Sequence, residues 1–316
     1  MKHFNRVPAI IFVTLSILAI SINPLILFLV RRELKIRLPG SALEISQCRF
    51  NPLGKLSFSD IKINKAPVYD VRIKYLSFGF SLLSIFKAYR GDLSGIIESC
   101  DISLDSLEVN NARINNGYLK VARGSDNGVI GCAEFKYEKL RVMDIKAKAS
   151  LKDDYLRIDS LSGRLLGGIL KGNSFISLKA PLGYQADLNF TNLDLDIFMK
   201  DFAFDEKAEI TGQVSGFMKL QGENQFVRVL DGNLASSKEG GSLTIKDTRF
   251  LQNLARSSGQ TLDLIVESFK NYRYNTGKAV IALENNNIVF LIDLDGSAGK
   301  RSLNLTFHDF NPRRTE

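Results

Sequence analysis

Ile145-Lys146-Ala147-Lys148-Ala149-Ser150-Leu151-Lys152 alternates apolar and polar side chains without a break. Strand side chains point to opposite faces in turn, so this stretch reads as a β-strand with one apolar and one wet face. The same period continues on both sides of it. Upstream, Ile102 and Leu104 give way to Leu107 and Val109 after a one-residue slip, and Phe135 and Tyr137 precede Leu140 and Val142. Downstream, Tyr184, Ala186, Leu188 and Phe190 form an apolar row with Gln185, Asp187 and Asn189 opposite. Ile288, Phe290, Ile292 and Leu294 follow, then Leu303, Leu305 and Phe307.

Short polar stretches punctuate these runs: Asn115-Asn116-Gly117, Asp126-Asn127-Gly128, Lys171-Gly172-Asn173, Asp231-Gly232-Asn233, Glu239-Gly240-Gly241, Asn285-Asn286-Asn287 and Asp295-Gly296-Ser297. Asn, Asp and Gly tolerate positive φ and suit tight hairpins, so each is read as a turn. Many short strands with such turns predict a mainly antiparallel β protein. Short helices are expected at Leu82 to Tyr89, at Leu195 to Phe202 with Asp194 as cap, at Thr248 to Ser257 ended by Gly259, and through Leu262 to Phe269.

Ahead of the strands, Val7 to Val30 carries no charge. About 20 apolar residues in a helix cross a hydrocarbon core of roughly 30 Å, so the run predicts a transmembrane anchor. A cleaved signal peptide ending near Ala19 and Ser21, or a buried soluble helix, are the alternatives. The apolar run continues well past Ser21, which a cleaved peptide does not need. Asn23-Pro24 predicts a kink. Lys2 and Arg6 lie before the run and Arg31, Arg32, Lys35 and Arg37 after it. The positive-inside rule alone would keep the main domain cytoplasmic.

Most of the net charge of +8 sits in this N-terminal flank, where Glu33 is the only acid before residue 38. The basic balance therefore points to an anionic lipid surface at Arg31, Arg32, Lys35 and Arg37, and gives no reason to expect nucleic acid. The three cysteines, Cys48, Cys100 and Cys132, have no metal spacing. His3 and His308 are the only histidines, too few for a His-rich metal site or a Ser-His-Asp triad. The Asp194/Asp196 and Asp293/Asp295 pairs read as the wet face of amphipathic strands rather than as acid–base pairs. Leu165-Leu166-Gly167-Gly168 and Glu239-Gly240-Gly241-Ser242 lack the Lys-Ser/Thr ending of a phosphate loop. No enzymatic activity, cofactor or metal is expected.

A sheet with one apolar face must cover that face, and few helices are at hand. A long sheet can curl so that the face lines an open groove; about 16 strands at about 4.8 Å each would form a trough on the order of 75 Å. It can equally close around its own side chains. Ile145, Ala147, Leu188, Phe190, Phe290, Ile292, Leu294, Leu303, Leu305 and Phe307 are the candidate lining residues, and next to a membrane anchor acyl chains are the natural occupant.

The motifs Val71-Arg72-Ile73-Lys74-Tyr75-Leu76-Ser77-Phe78 and Leu82-Leu83-Ser84-Ile85-Phe86-Lys87 resemble the early part of the AsmA-like proteins of diderm bacteria. The C-terminal half is similar to YdbH-type members through Gly163-Arg164-Leu165-Leu166-Gly167-Gly168, Asn192-Leu193-Asp194-Leu195, Gly212 to Leu220, Gly240 to Ile245, Phe269 to Tyr274, and Leu294-Asp295-Gly296 leading to Leu303-Asn304-Leu305. The resemblance implies an inner-membrane helix, a periplasmic β-groove, and assistance to phospholipid transport between inner and outer membrane and to outer-membrane biogenesis. A trough on the order of 75 Å is short for reaching the outer membrane alone, so an envelope protein partner is expected. A non-enzymatic periplasmic scaffold or chaperone-like factor is the alternative. The expected organisation is residues 1–37 as tail, transmembrane anchor and basic flank, 38–130 as a first AsmA-like β region, and 131–316 as a second, AsmA/YdbH-like groove region. The fold expected is thus a transmembrane helix followed by a long curved antiparallel β-sheet, an open groove, with a few short helices.

Overall fold

A computed structural model describes residues 23–51, 54–80, 98–122, 128–152, 155–177, 181–224, 226–258 and 261–308. The chain divides into two compact units, Met1–Phe135 and Lys136–Glu316. Both are built as predicted from antiparallel strands joined in sequence order.

In the first unit, residues 23–37 are helical (α1). They lead into β1 (Ala42–Asn51), β2 (Lys55–Lys65), β3 (Tyr69–Gly79), β4 (Ser99–Val109), β5 (Ala112–Ala122) and β6 (Gly128–Tyr137). β1 to β6 pair in sequence order. Partners directly opposite share a face, so register shows which side chains line up. One row runs Phe50, Leu56, Phe78, Cys100, Val121, and another runs Leu43, Ile63, Val71, Leu107, Ile114. Leu104 and Leu107 stay on this face because Asp105 falls between them, which is the slip expected at that point. The inner side of α1 covers part of the face: Ile26, Leu27, Val30 and Leu34 pack against buried Ile45, Cys48, Phe58 and Ile61. All three cysteines are free thiols, and burial pushes each above its usual range.

The second unit holds β7 (Leu140–Lys152), β8 (Tyr155–Leu165), β9 (Gly168–Ser177), β10 (Gly183–Asp194), α2 (Leu195–Asp201), β11 (Ala208–Glu223) and β12 (Phe226–Ile245). Then come α3 (Thr248–Ser258), α4 (Leu262–Phe269), β13 (Tyr272–Tyr274), β14 (Thr276–Glu284), β15 (Asn287–Gly296) and β16 (Gly299–Phe307). The strands pair in the order β7 to β12, then β14, β15 and β16, with β13 on the far half of β12. The long β12 therefore serves two partners along its length. Bulges interrupt the ladders between Met143 and Lys146, between Ile158 and Leu161, and between Phe190 and Leu193. Asp144, Ser160 and Asn192 take left-handed backbone at these points. Each bulge adds a residue, bends its strand and returns the next apolar side chain to the same face.

Several expectations need correction. Asn115-Asn116-Gly117, Lys171-Gly172-Asn173, Asp231-Gly232-Asn233 and Glu239-Gly240-Gly241 are not hairpin turns; they lie within β5, β9 and β12. The reason is steric. A Cβ on Gly172 would run into the Asp187 carbonyl, with the Leu188 side chain 3.0 Å away, and one on Gly232 would meet the Phe217 carbonyl at 3.3 Å and Ile281 at 3.4 Å. These glycines let the backbone and side chains of adjoining strands approach closely. Asn285-Asn286, by contrast, is a true hairpin turn with φ of 48° and 67°. Asp194 and Asp196 do not share a strand face. Asp194 caps α2, accepting from the Asp196 and Ile197 amides, while Asp196 pairs with Lys200 one turn on. The helices expected at Leu195, Thr248 and Leu262 form. Leu82 to Tyr89, Asp126-Asn127 and residues 7–22 of the apolar run lie outside the described residues. No helix among the described residues is long and apolar enough to cross a membrane.

Candidate functional site

Strand register places Leu188, Phe190, Phe290, Ile292, Leu294, Leu303, Leu305 and Phe307 on one face of the second unit. One row across it runs Leu161, Gly172, Leu188, Met218, Gly232, Ile281, Phe290, Leu305. A neighbouring row runs Gly163, Leu170, Phe190, Gly216, Leu234, Ala279, Ile292, Leu303. Small residues (Gly172 and Gly232 in the first row, Gly163, Gly216 and Ala279 in the second) interrupt the large ones and make room for them. Ile145 lies against the same face, 3.5 Å from where a Cβ of Gly163 would stand. Ala147 follows it two residues on, and Phe307 stands opposite Ile288 at the end of the last strand. The opposite face carries Lys146, Lys148, Arg157, Arg164, Lys171, Asp187, Lys219, Asp231 and Asp293, as alternation requires.

Exposure is uneven along the apolar face. Ala147, Phe190 and Leu294 are buried, Phe307 is exposed, and Ile145, Leu188, Phe290, Ile292, Leu303 and Leu305 are half-buried. Two packing features that local sequence does not specify account for this. First, α3 and α4 cover one end. Leu251, Ala255 and Phe269 form a buried cluster with Leu243, Tyr272, Tyr274 and Leu294, and Ile292 and Leu303 pack on its margin. The spacing of Phe250, Leu251 and Leu254 in the sequence marked α3 as amphipathic, but nothing local said which strands it would cover. Second, a run of aromatic rings crosses the other part. Phe198, Phe202 and Phe204 stack beside α2, Phe204 meets Phe307 at 6.5 Å between ring centroids, and Phe307 meets Phe290 at 5.5 Å. β16 is several strands removed from β10, so in a flat sheet roughly 20 Å would separate them. The contact means that the sheet of this unit curls toward its apolar side and the α2 loop reaches over that side.

Tyr272 and Tyr274 pin the covered end. The Tyr272 hydroxyl donates to the Gly299 carbonyl at 2.6 Å, and its ring lies under the Arg301 guanidinium at 5.3 Å. The Tyr274 hydroxyl donates to the Thr211 carbonyl at 2.6 Å. Burial pushes the Tyr274 hydroxyl up from 10.0 to about 12. The folded unit thus holds this proton more tightly than the unfolded chain, and stability falls as pH rises between those two values. Urea midpoints of the wild type should decline between pH 10 and about 12. Those of Tyr274→Phe, lower at neutral pH, should decline less; equal declines would assign the loss to other groups.

The basic flank divides. Arg31 is committed to the fold, donating to the Ile45 carbonyl at 2.6 Å, and Arg37 pairs with Glu33 at 2.8 Å. Arg32 and Lys35 are exposed on α1. Asp293 accepts from the Ser302 hydroxyl at 2.6 Å on the wet face. Among the described residues no group of His, Cys, Asp or Glu is arranged to hold a metal.

No curated protein and no solved structure matches the chain. A family model described as YdbH-like, intermembrane phospholipid transport protein YdbH, matches residues 96–301. That span takes in β4 to β15 and the apolar face just described apart from Leu303, Leu305 and Phe307, which lie on β16 beyond it. It also contains every C-terminal motif on which the resemblance was drawn, up to Leu294-Asp295-Gly296. The chain belongs to the YdbH-like family of intermembrane phospholipid transport proteins.

Proposed function

We propose that this chain is a membrane-anchored lipid carrier that assists phospholipid transport between inner and outer membrane, and through it outer-membrane biogenesis. Its main domain lies in the periplasm and works with an envelope protein partner. The observation that carries the reading is the unbroken apolar face of the second unit, within a chain of this family. Acyl chains lie along Ile145, Ala147, Leu188, Phe190, Phe290, Leu305 and Phe307, while headgroups stay in water. Ile292, Leu294 and Leu303 border or underlie the helical cover and bound the lipid path at that end. Apolar surface drives the association without directional bonds, which suits chains that must slide. Arg32 and Lys35 attract anionic headgroups at the membrane. No covalent step is required, and the driving force for net movement comes from outside this chain.

Photo-crosslinking amino acids at the positions of Phe290 and Leu291 test it. Phe290 is on the apolar face, and Leu291, next to it, is on the wet face at 47% exposure. Phospholipid adducts are expected at the first and not at the second. Equal labelling, or adducts to neither, would reject the groove.

A further inference from the structure

α1 is apolar on two opposite sides. Asn23, Leu27, Val30 and Leu34 lie one turn apart on the side that packs on β1 to β3. Leu25, Phe28, Leu29, Arg32 and Ile36 repeat at the same helical spacing on the other side. There Leu25 is 56% exposed, Phe28 62%, Leu29 50% and Ile36 64%. A helix apolar all round is normally covered all round. The sheet covers only the inner side of this one.

What covers the outer side follows from position and charge. The outer stripe continues, in sequence, the uncharged run that begins at Val7, and it ends among Arg31, Arg32, Lys35 and Arg37. An apolar surface passing into a basic one along a helix suits the boundary between acyl chains and anionic headgroups. α1 is also fixed in direction. The Asn23 side-chain carbonyl accepts from the Phe50 amide at 2.7 Å, and Arg31 reaches Ile45, so the helix runs antiparallel to β1. Its Leu25–Leu29 turn is therefore level with the Phe50 end of the sheet. At that end stand Leu56, Phe78, Cys100 and Val121 in register with Phe50, and Phe80 stacks on Phe50 at 5.8 Å.

We infer that the outer stripe of α1 rests in the surface of an anionic bilayer, which places the Phe50–Phe80 end of the first unit's apolar face at the membrane as the point where lipid enters. Residues 25–37 then lie along the bilayer surface. Lipid entry rests on the transport reading above; the docking of α1 does not.

The chain contains no tryptophan, so a single introduced one reports alone. The full chain carrying Phe28→Trp, Leu34→Trp or Val280→Trp is reconstituted in phosphatidylglycerol-containing vesicles with lipids brominated along the acyl chain. Val280 is exposed on the wet face of the second unit and serves as control should Leu34→Trp fail to fold. Phe28→Trp should be quenched at least about threefold more than either, because an interfacial helix sinks only about 5–10 Å into the headgroup–acyl boundary. Equal quenching of Phe28→Trp and Val280→Trp would overturn the inference, and so would a Phe28 position crosslinked to protein instead of lipid. Phe50→Trp quenched less than Val280→Trp would overturn the entry point. Quenching at Phe28 without lipid adducts at Phe290 would reject transport and leave the docking standing; the reverse would reject the docking alone.

Discussion

The chain carrying Leu188→Asp is expected to purify with at least about tenfold less phospholipid than the wild type. A tenfold change takes about 1.4 kcal/mol, and covering a carboxylate with acyl chains costs several kcal/mol unless it is paired. Leu188 sits midway across the apolar face, flanked in register by Gly172 and Met218. A charge here interrupts the face where a sliding chain has no way round it. Half-buried Leu188 leaves the carboxylate a route to water in the empty protein, so the variant should fold. Circular dichroism and the urea midpoint establish that before lipid is counted. Asn189→Asp is the control. Its side chain is exposed on the wet face, and it should retain its lipid. A folded Leu188→Asp chain that keeps the wild-type lipid content would remove the second unit's face from the transport path.

Gly241→Val is expected to lower the stability of the second unit by about 3–4 kcal/mol, among the larger losses that single substitutions cause. Gly241 stands on β12 between two fixed neighbours. Its would-be Cβ runs into the Thr211 carbonyl, a backbone atom, and into the Tyr274 hydroxyl that bonds that carbonyl. Next to it Gly240 has φ of 65°, with the Tyr274 carbonyl in the way of any side chain. The backbone of β11, β12 and β13 therefore closes up only with glycine here, and valine must separate the strands or break the hydrogen bond. Gly299→Ala isolates the conformational part of such a cost. Gly299 also has positive φ, at 91°, but the nearest atom to an added Cβ is the flexible Arg301 side chain at 3.7 Å. It should lose only about 1 kcal/mol. Urea midpoints followed by far-UV circular dichroism measure both, and similar small shifts in the two would mean that Tyr274 does not brace this corner.

The alternation at Ile145 to Lys152 and its repeats were enough to read the strands and to select which residues share a face. This works because side-chain direction in a strand is a local property with period two, carried along the chain by each residue. One slip was legible too: Leu104 and Leu107 are three apart yet on one face, with Asp105 between them. Helix starts were equally local, since Asp194 caps through its own side chain.

Glycine was the point where local reading misled. Gly172 and Gly232 look like turn residues because their freedom of φ is intrinsic. Their actual role depends on the Asp187 and Phe217 carbonyls and on Leu188 and Ile281, which are remote in sequence and arrive only when strands pair. The same holds for the fate of the apolar face. Periodicity left an open groove and a closed core equally acceptable, because it specifies a face and says nothing of what lies over it. Packing resolved this unevenly: α3 and α4 took Leu294, the Phe204–Phe307 contact drew the sheet over, and Leu188 and Leu305 stayed half-open. At the other end, the final turns of the apolar run looked like membrane span from hydropathy alone. Among the described residues of that run, Ile26, Leu27 and Val30 pack on the greasy side of β1 to β3. Which residues are apolar is written residue by residue; which surface each one meets is a contest among distant segments for the same area, and it is settled by shape once the strands have paired.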